Sequence, residues 1–304
     1  MSQLAVVILT HNEAKHIGRC LDAISSIATE VFVIDSGSTD GTIEIAEQRG
    51  AKVLSNRWVN YAAQFQWGLD NAPITSDWVM RLDADEIIEP DLVAEIAAKL
   101  PTLPAEVTGV NLKRKHIFMG RWVKHGGRYP LILLRIWRRG IGRIEQRWMD
   151  EHMLLDHGRT VTFQGGFSDV NLNDLTFFTD KHNKYATREA VDVINQKRHL
   201  FARDVDLTSD QTSKKAAVTR LIKERIYNRI PFQLSALGYF LYRYIFQLGF
   251  LDGREGAIYH VLQGFWYRYL VGAKILELET AIDGLGKEEA LAELTRLTGL
   301  RLNS

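Results

Sequence analysis

Cysteine is almost absent from this chain: Cys20 is the only one in 304 residues. An intrachain disulfide is therefore excluded, and so is a zinc site built on cysteines. A lone thiol fits a reducing compartment. Net charge is nearly absent too. With 38 basic and 37 acidic residues the formal charge is +1, so no global field favours nucleic acid, and none is expected as a partner. The start, Met1-Ser2-Gln3, runs directly into Leu4–Leu9 without the basic region and cleavage site of a signal peptide, so cytoplasmic residence is the expectation. No G-x-G-x-x-G follows either early strand, and no G-x-x-x-x-G-K-[ST] occurs. Nicotinamide-dinucleotide and P-loop readings lose most of their support.

What is present is an ordinary globular composition, 46% hydrophobic and 25% charged, enough for a large core and an appendage. The first hundred residues alternate short apolar runs with helical patterns. Strands are expected at Leu4–Leu9, Val31–Ile34, Lys52–Leu54 and Trp78–Leu82. Helices are expected from an N-cap at Asn12, before Gly50, over 60–71, and from Pro90 to Leu100. This rhythm predicts parallel βαβ units, hence an α/β fold with a mostly parallel sheet flanked by helices. Between 105 and 170 the helical rhythm fades, and Val107–Lys115, Leu131–Trp137 and Thr160–Phe163 read as strands. The expected division is a domain over 1–170, with halves at about 1–100 and 105–170, followed by a helical, aromatic-rich region over 171–304.

Ligands of such sheets bind beyond the carboxyl ends of the strands. Here those ends are Thr10-His11-Asn12-Glu13, Asp35-Ser36-Gly37-Ser38 and Asp83-Ala84-Asp85-Glu86. Two carboxylates two residues apart suit a hard cation, Mg²⁺ or Mn²⁺, which shares its remaining positions between water and phosphates. The same spacing recurs at Asp204 and Asp206, but no strand precedes that copy. Asp35 ends a buried strand, where a carboxylate can accept hydrogen bonds from a ribose or a base. Asp40 reads as a turn and helix cap.

Taken together, these three motifs resemble the family 2 inverting glycosyltransferases, whose fold is the Rossmann-like GT-A type with a mixed sheet. The resemblance covers about residues 1–170. It implies that Thr10, Asn12, Glu13 and Asp35 hold the nucleoside, that Asp83 faces the ribose or sugar, and that Asp85 binds the metal. Gln64 falls where many relatives carry a basic residue near the sugar diphosphate, and it is expected beside the nucleotide-sugar. Trp148-Met149-Asp150-Glu151-His152 resembles the acidic motif that supplies the family's catalytic base. A subgroup acting in lipopolysaccharide core synthesis carries a similar His-Glu pair, which favours Glu151, with Asp150 the alternative. A basic, glycine-rich rim that includes Lys124, Arg128 and Arg135 could grip an acidic acceptor or the diphosphate.

The last third is helical, basic and aromatic. Lys214 to Arg229 reads as a basic amphipathic helix, and 12 of the 30 aromatic residues fall between Phe232 and Tyr269. That concentration favours attachment in the plane of a membrane, at its cytoplasmic face. Phe232–Phe250 is just long enough to cross a bilayer, but Gln233, Arg243 and Gln247 interrupt it. Gly249–Gly256 resembles the tail of the lipopolysaccharide subgroup, which implies a lipid-linked or membrane-associated glycan as acceptor. The expected activity is transfer from a nucleotide-sugar donor, UDP-linked by preference. A nucleotidyltransferase acting on a sugar phosphate and a non-catalytic sugar- or membrane-binding module are the alternatives.

Overall fold

A computed structural model describes residues 3–145, 152–201, 231–300 and 302. The chain separates into two compact units, Met1–Leu172 and Asn173–Ser304.

The first unit is a nine-stranded mixed sheet with helices on its faces. Its parallel half contains β1 (Leu4–Thr10), β2 (Glu30–Asp35), β3 (Lys52–Ser55) and β4 (Trp78–Asp83). The other half contains β5 (Glu86–Ile88), β6 (Val107–Phe118), β7 (Arg121–Val123), β8 (Leu131–Arg138) and β11 (Arg159–Val170). The order is β3-β2-β1-β4-β8-β6-β11-β5, with β7 also on β6. A separate hairpin pairs β9 (Gly142–Ile144) with β10 (Met153–Leu155).

The continuous apolar run of β1 is buried on both faces, as a central parallel strand requires. One face packs on α1 (Ile17–Ile24) and α4 (Pro90–Lys99), where Ile17, Leu21, Leu92 and Ile96 share a core with Val6, Ile8 and Met80. The other packs on α3 (Tyr61–Asn71) through Phe65, Val7, Ile34 and Trp137. Helix α2 (Thr42–Gln48) completes the layer beside α1. Asn60 caps α3, its Oδ1 accepting from Ala63 N at 2.7 Å, and Pro90 opens α4.

Two expectations need correcting. The first helix begins at Ile17, not after Asn12; Asn12 takes a left-handed φ of 57°, unlike the extended backbone an asparagine N-cap ordinarily adopts. The strand expected at Thr160–Phe163 extends over Arg159–Val170, with its register shifting between Thr162 and Gly166. The glycine pair hides its alternation: a Cβ on Gly165 would lie 2.6 Å from the Leu92 backbone. The short β5, pairing antiparallel with β11, was not anticipated.

The second unit is helical: α5 (Leu175–Arg198), α6 (Phe232–Leu241), α7 (Gly253–Tyr259), α8 (Tyr267–Ala281) and α9 (Lys287–Thr298). Val191, Ile194, Leu278, Ile282 and Leu294 form its core. The stretch from Phe232 to Phe250 is not one helix. After α6 it widens into a π-turn at Tyr242–Phe246 and then breaks at Leu248, whose φ is 59°. Among the described residues no helix is long and apolar enough to cross a membrane. Leu234, Tyr242, Ile245, Phe246, Phe250 and Leu251 are exposed, Phe246 by 76%. The basic segment Lys214–Arg229 and the second Asp-x-Asp at 204–206 lie outside the described residues.

Candidate active site

The loops after β1 and β2 are tied to each other by side chains. Asp35, 1% exposed, receives Thr10 Oγ1, Ser38 Oγ and the backbone N–H groups of Gly37 and Ser38, at 2.5–2.8 Å. These four donors occupy all the acceptor positions of the carboxylate. Asn12 N donates to Ser38 Oγ at 2.8 Å, and Asn12 Oδ1 accepts from Thr39 N at 2.9 Å. Glu13 N donates to Thr42 Oγ1 at 2.8 Å, and Ala14 N to Asp40 Oδ2 at 3.0 Å. Asp40 also accepts from Thr42 N, the turn-capping role expected of it. Asn12, the presumptive cap of its own helix, instead caps the neighbouring loop.

Glu13 has a second task. Its Oε2 lies 2.6 Å from Nδ1 of His16, a histidine 1% exposed, whose Nε2 accepts from Leu172 N at 2.9 Å. Nε2 as acceptor places the ring proton on Nδ1, facing Glu13. The pair thereby joins the β1 loop to the chain leaving β11.

Burial opposes the charge on Asp35, but the donors of Ser38, Thr10 and Gly37 outweigh it and hold the carboxyl below its ordinary value. A lowered folded value stabilises the fold above the unfolded carboxyl pKa of about 3.9, and that stability is lost as pH falls through the folded value. Asp35→Asn should therefore cost about 1.5–3 kcal/mol at pH 7, the range for hydrogen bonds to a charged group. The difference from wild type should shrink at pH 3. Urea unfolding at the two pH values measures it, and an equal difference at both would remove Asp35's charge from the account.

The third strand end holds the acidic run. Asp83, its side chain 30% exposed, accepts from Tyr61 Oη at 2.5 Å and lies 3.6 Å from Arg135 Nη2. Arg81 stacks on Tyr61, 4.4 Å from its ring centroid, and donates to its hydroxyl at 3.0 Å. Glu86 is buried behind this group: it accepts from Asp83 N at 2.9 Å and from Arg135 Nη2 at 2.6 Å. Burial works against the charge of Asp83, yet Arg135, Arg81 and the Tyr61 hydroxyl hold its carboxyl below the usual range. Glu86 goes the other way. Burial, with the neighbouring Asp83 charge, outweighs Arg135 and raises it to about 8. Two carboxylates thus share one buried guanidinium unequally.

Asp85 is partly exposed, accepts from Asn171 Nδ2 at 3.0 Å and interacts with the charge of Arg19. Among the described residues no three acidic, histidine or cysteine side chains gather as a metal cage. The donor set nevertheless suits Mg²⁺ or Mn²⁺, which needs one or two protein carboxylates and takes other oxygens from phosphates and water.

The remaining predicted residues are placed as follows. Gln64 is 1% exposed and bonds Asn56, its Oε1 accepting from Asn56 Nδ2 at 2.9 Å. It holds the loop after β3. Arg135 is not on a solvated rim; it lies inside β8, 3% exposed, paired with Glu86. Lys124 is exposed, and Arg128 is half-buried in the loop after β7. Asp150 and Glu151 lie outside the described residues. Sequence reasoning missed Tyr61, Arg81 and His16. Each acts through a partner at least 20 residues away or across a loop, except for the His16–Glu13 spacing of three, a helical-turn signal that was there to read.

Comparison with known proteins bears on this geometry. An uncharacterized glycosyltransferase of Rickettsia felis is 40% identical over 96 residues, 32% of this chain and 33% of that protein. The chain therefore matches only about a third of the length of such relatives. The lipopolysaccharide core biosynthesis glycosyltransferase LpsC of Rhizobium meliloti is 26% identical over 194 residues, 62% of this chain and 70% of LpsC. Among solved structures, a glucosyl-3-phosphoglycerate synthase from Mycobacterium tuberculosis, in complex with Mn²⁺ and UDP, is 27% identical. That match covers 38% of this chain and 44% of the synthase at a TM-score of 0.32. The model of glycosyl transferase family 2 matches residues 5–165. That stretch is more than half of the chain and includes all three strand-end motifs, so the protein belongs to glycosyl transferase family 2.

Proposed function

We propose that the protein is an inverting, metal-dependent glycosyltransferase that moves a sugar from a UDP-linked donor to a membrane-associated glycan. The observation that carries this reading is the alignment of Asn12, Asp35, Asp83 and Asp85 at the carboxyl ends of β1, β2 and β4, in a chain of this family. In this proposal Thr10, Asn12 and Glu13 shape the nucleoside edge, with Asp35 as its filled scaffold and Gln64 steadying the adjacent loop. Asp83 meets the ribose or sugar.

Asp85 would hold Mg²⁺ or Mn²⁺, whose chemistry is to offset charge on the departing diphosphate. Glu151, or Asp150 beside it, takes the proton of the acceptor hydroxyl. The acceptor oxygen then bonds to the anomeric carbon while the bond to the diphosphate breaks, and the electron pair leaves with UDP. One displacement inverts the anomeric centre.

The acceptor class is supported by two observations. LpsC is named for lipopolysaccharide core biosynthesis, which favours a surface-glycan acceptor. The exposed apolar side chains from Leu234 to Leu251 suit the cytoplasmic face of a plasma membrane. A panel of UDP-sugars assayed with anionic phospholipid vesicles that carry lipopolysaccharide as the glycan acceptor tests the reading. One donor should give free UDP with Mn²⁺ and none with EDTA, and the protein should sediment with the vesicles. Turnover unaffected by EDTA would defeat the metal role, and protein left in the supernatant would defeat the membrane role.

A further inference from the structure

We propose that the β6–β7 hairpin carries an anion-binding subsite, made by Lys115, Lys124 and Trp122, for a phosphate or carboxylate substituent on the acceptor saccharide. This rests on the transferase reading and adds a requirement to it: the acceptor is charged.

No aspartate or glutamate lies between Glu106 and Glu145. Positive charge in that stretch is balanced only by residues from elsewhere. Arg135 meets Glu86, Arg143 lies 3.5 Å from Asp156, and Lys115 pairs with Glu89. Lys124 has no carboxylate partner among the described residues.

Both lysines are held against one indole ring. Their Nζ atoms lie 5.0 Å (Lys115) and 5.3 Å (Lys124) from the Trp122 ring centroid, within cation–π range. Tyr129 packs edge-on against the same ring at 4.9 Å. The hairpin register ends with His116 opposite Val123, so Lys115 and Lys124 are the residues next beyond the last pair. Neighbouring like charges are unfavourable, and Glu89 relieves only one of them. The Trp122 Nε1–H is buried and has no acceptor among the described residues. Lys124 and Lys115, the latter shared with Glu89, are two ammonium groups on one indole ring that an anionic oxygen group would draw together.

The subsite also faces the right way. Side chains alternate along a strand. On β4, Val79 packs in the α3-side core, which puts Asp83 on that face. On β6, a Cβ at Gly109 would meet Leu134 and Leu155 of the same core, which puts Lys115 there too. Strand β6 is two places from β4 in the sheet, about 10 Å at ordinary strand spacing. That offset leaves room for a saccharide beside the donor.

Calorimetric titration of the full chain, already saturated with UDP and Mn²⁺, tests this with glucose 6-phosphate, glucuronate and glucose. At least one charged sugar should bind, and glucose should not. Lys124→Ala should weaken that binding about tenfold, Lys124→Arg should restore most of it, and Trp122→Phe should give an intermediate loss. Lys124 is exposed, so its variants should keep the wild-type melting temperature. Glucose 6-phosphate binding best would identify a phosphorylated acceptor, and glucuronate binding best a uronic one. The proposal is overturned if neither charged sugar binds, if Lys124→Ala changes nothing, or if UDP and the charged sugar compete. Failure of UDP and Mn²⁺ to bind at the outset would count instead against the transferase reading.

Discussion

Asp85→Ala should lower metal-dependent sugar transfer by about 10²–10³-fold, the usual loss when one group stabilising developing charge is removed. The same variant should melt within about 2 °C of wild type, because a partly exposed side chain outside the core changes stability by no more than about 0.5 kcal/mol. Asp85 is partly exposed, bonds Asn171 and interacts with the charge of Arg19, whereas Glu86 and Arg135 are buried. Activity and stability should therefore separate, and the measurements are UDP release with Mn²⁺ and a thermal melt. A variant that turned over as fast as wild type would move the metal elsewhere. Asp83→Ala is expected to behave differently, since Tyr61 and Arg81 are organised around that carboxylate, and it should lose both activity and stability.

At pH 9, above the raised Glu86 value of about 8, Arg135→Met should be the most destabilising single change considered, at about 3–5 kcal/mol. It strips the shared cation from Glu86, 1% exposed, and from Asp83 beside it. The companion change decides whether charge or packing is responsible. If charge is the cause, Arg135→Met with Glu86→Gln should recover a large part of the loss, because replacing a buried pair as a unit costs far less than breaking it. Urea unfolding of the two single variants and the double variant supplies the coupling energy. Additive losses would mean that Arg135 matters for its packing against Phe167, 5.3 Å away, and not for its charge.

The polar strand-end edge was legible because β1 and β2 are unbroken apolar runs and β4 is one interrupted only by Arg81, and all three end in polar residues. Burial on both faces dictates that pattern, and sheet topology dictates what the ends do. Arg135 was misplaced for the same reason. An arginine at the close of an apolar run looks like an edge residue, and the carboxylate that keeps it inside, Glu86, is 49 residues away. No local spacing reports such a pairing. Asn12 shows the limit of residue preference: asparagine favours both the N-cap and the left-handed turn. Only the position of Ser38 and Thr39 decides between them. Residues 232–250 had the length of a span and enough apolar side chains. The break at Leu248 has no sequence signal, since leucine rarely takes a positive φ.

The interlocked loops after β1 and β2 carry a thermodynamic consequence. Asp35, Asn12 and Asp40 already accept from Thr10, Thr39 and Ala14, and Glu13 N already donates to Thr42, so backbone and hydroxyl groups of the two loops are met before any ligand arrives. The conformational entropy of these loops is therefore given up once, during folding, and not again at each turnover. A nucleotide arriving there should bind with little change in the mobility of this edge, so amide exchange in 10–14 and 35–42 should already be slow in the free protein. Ordering linked to the donor would have to come from other parts of the chain.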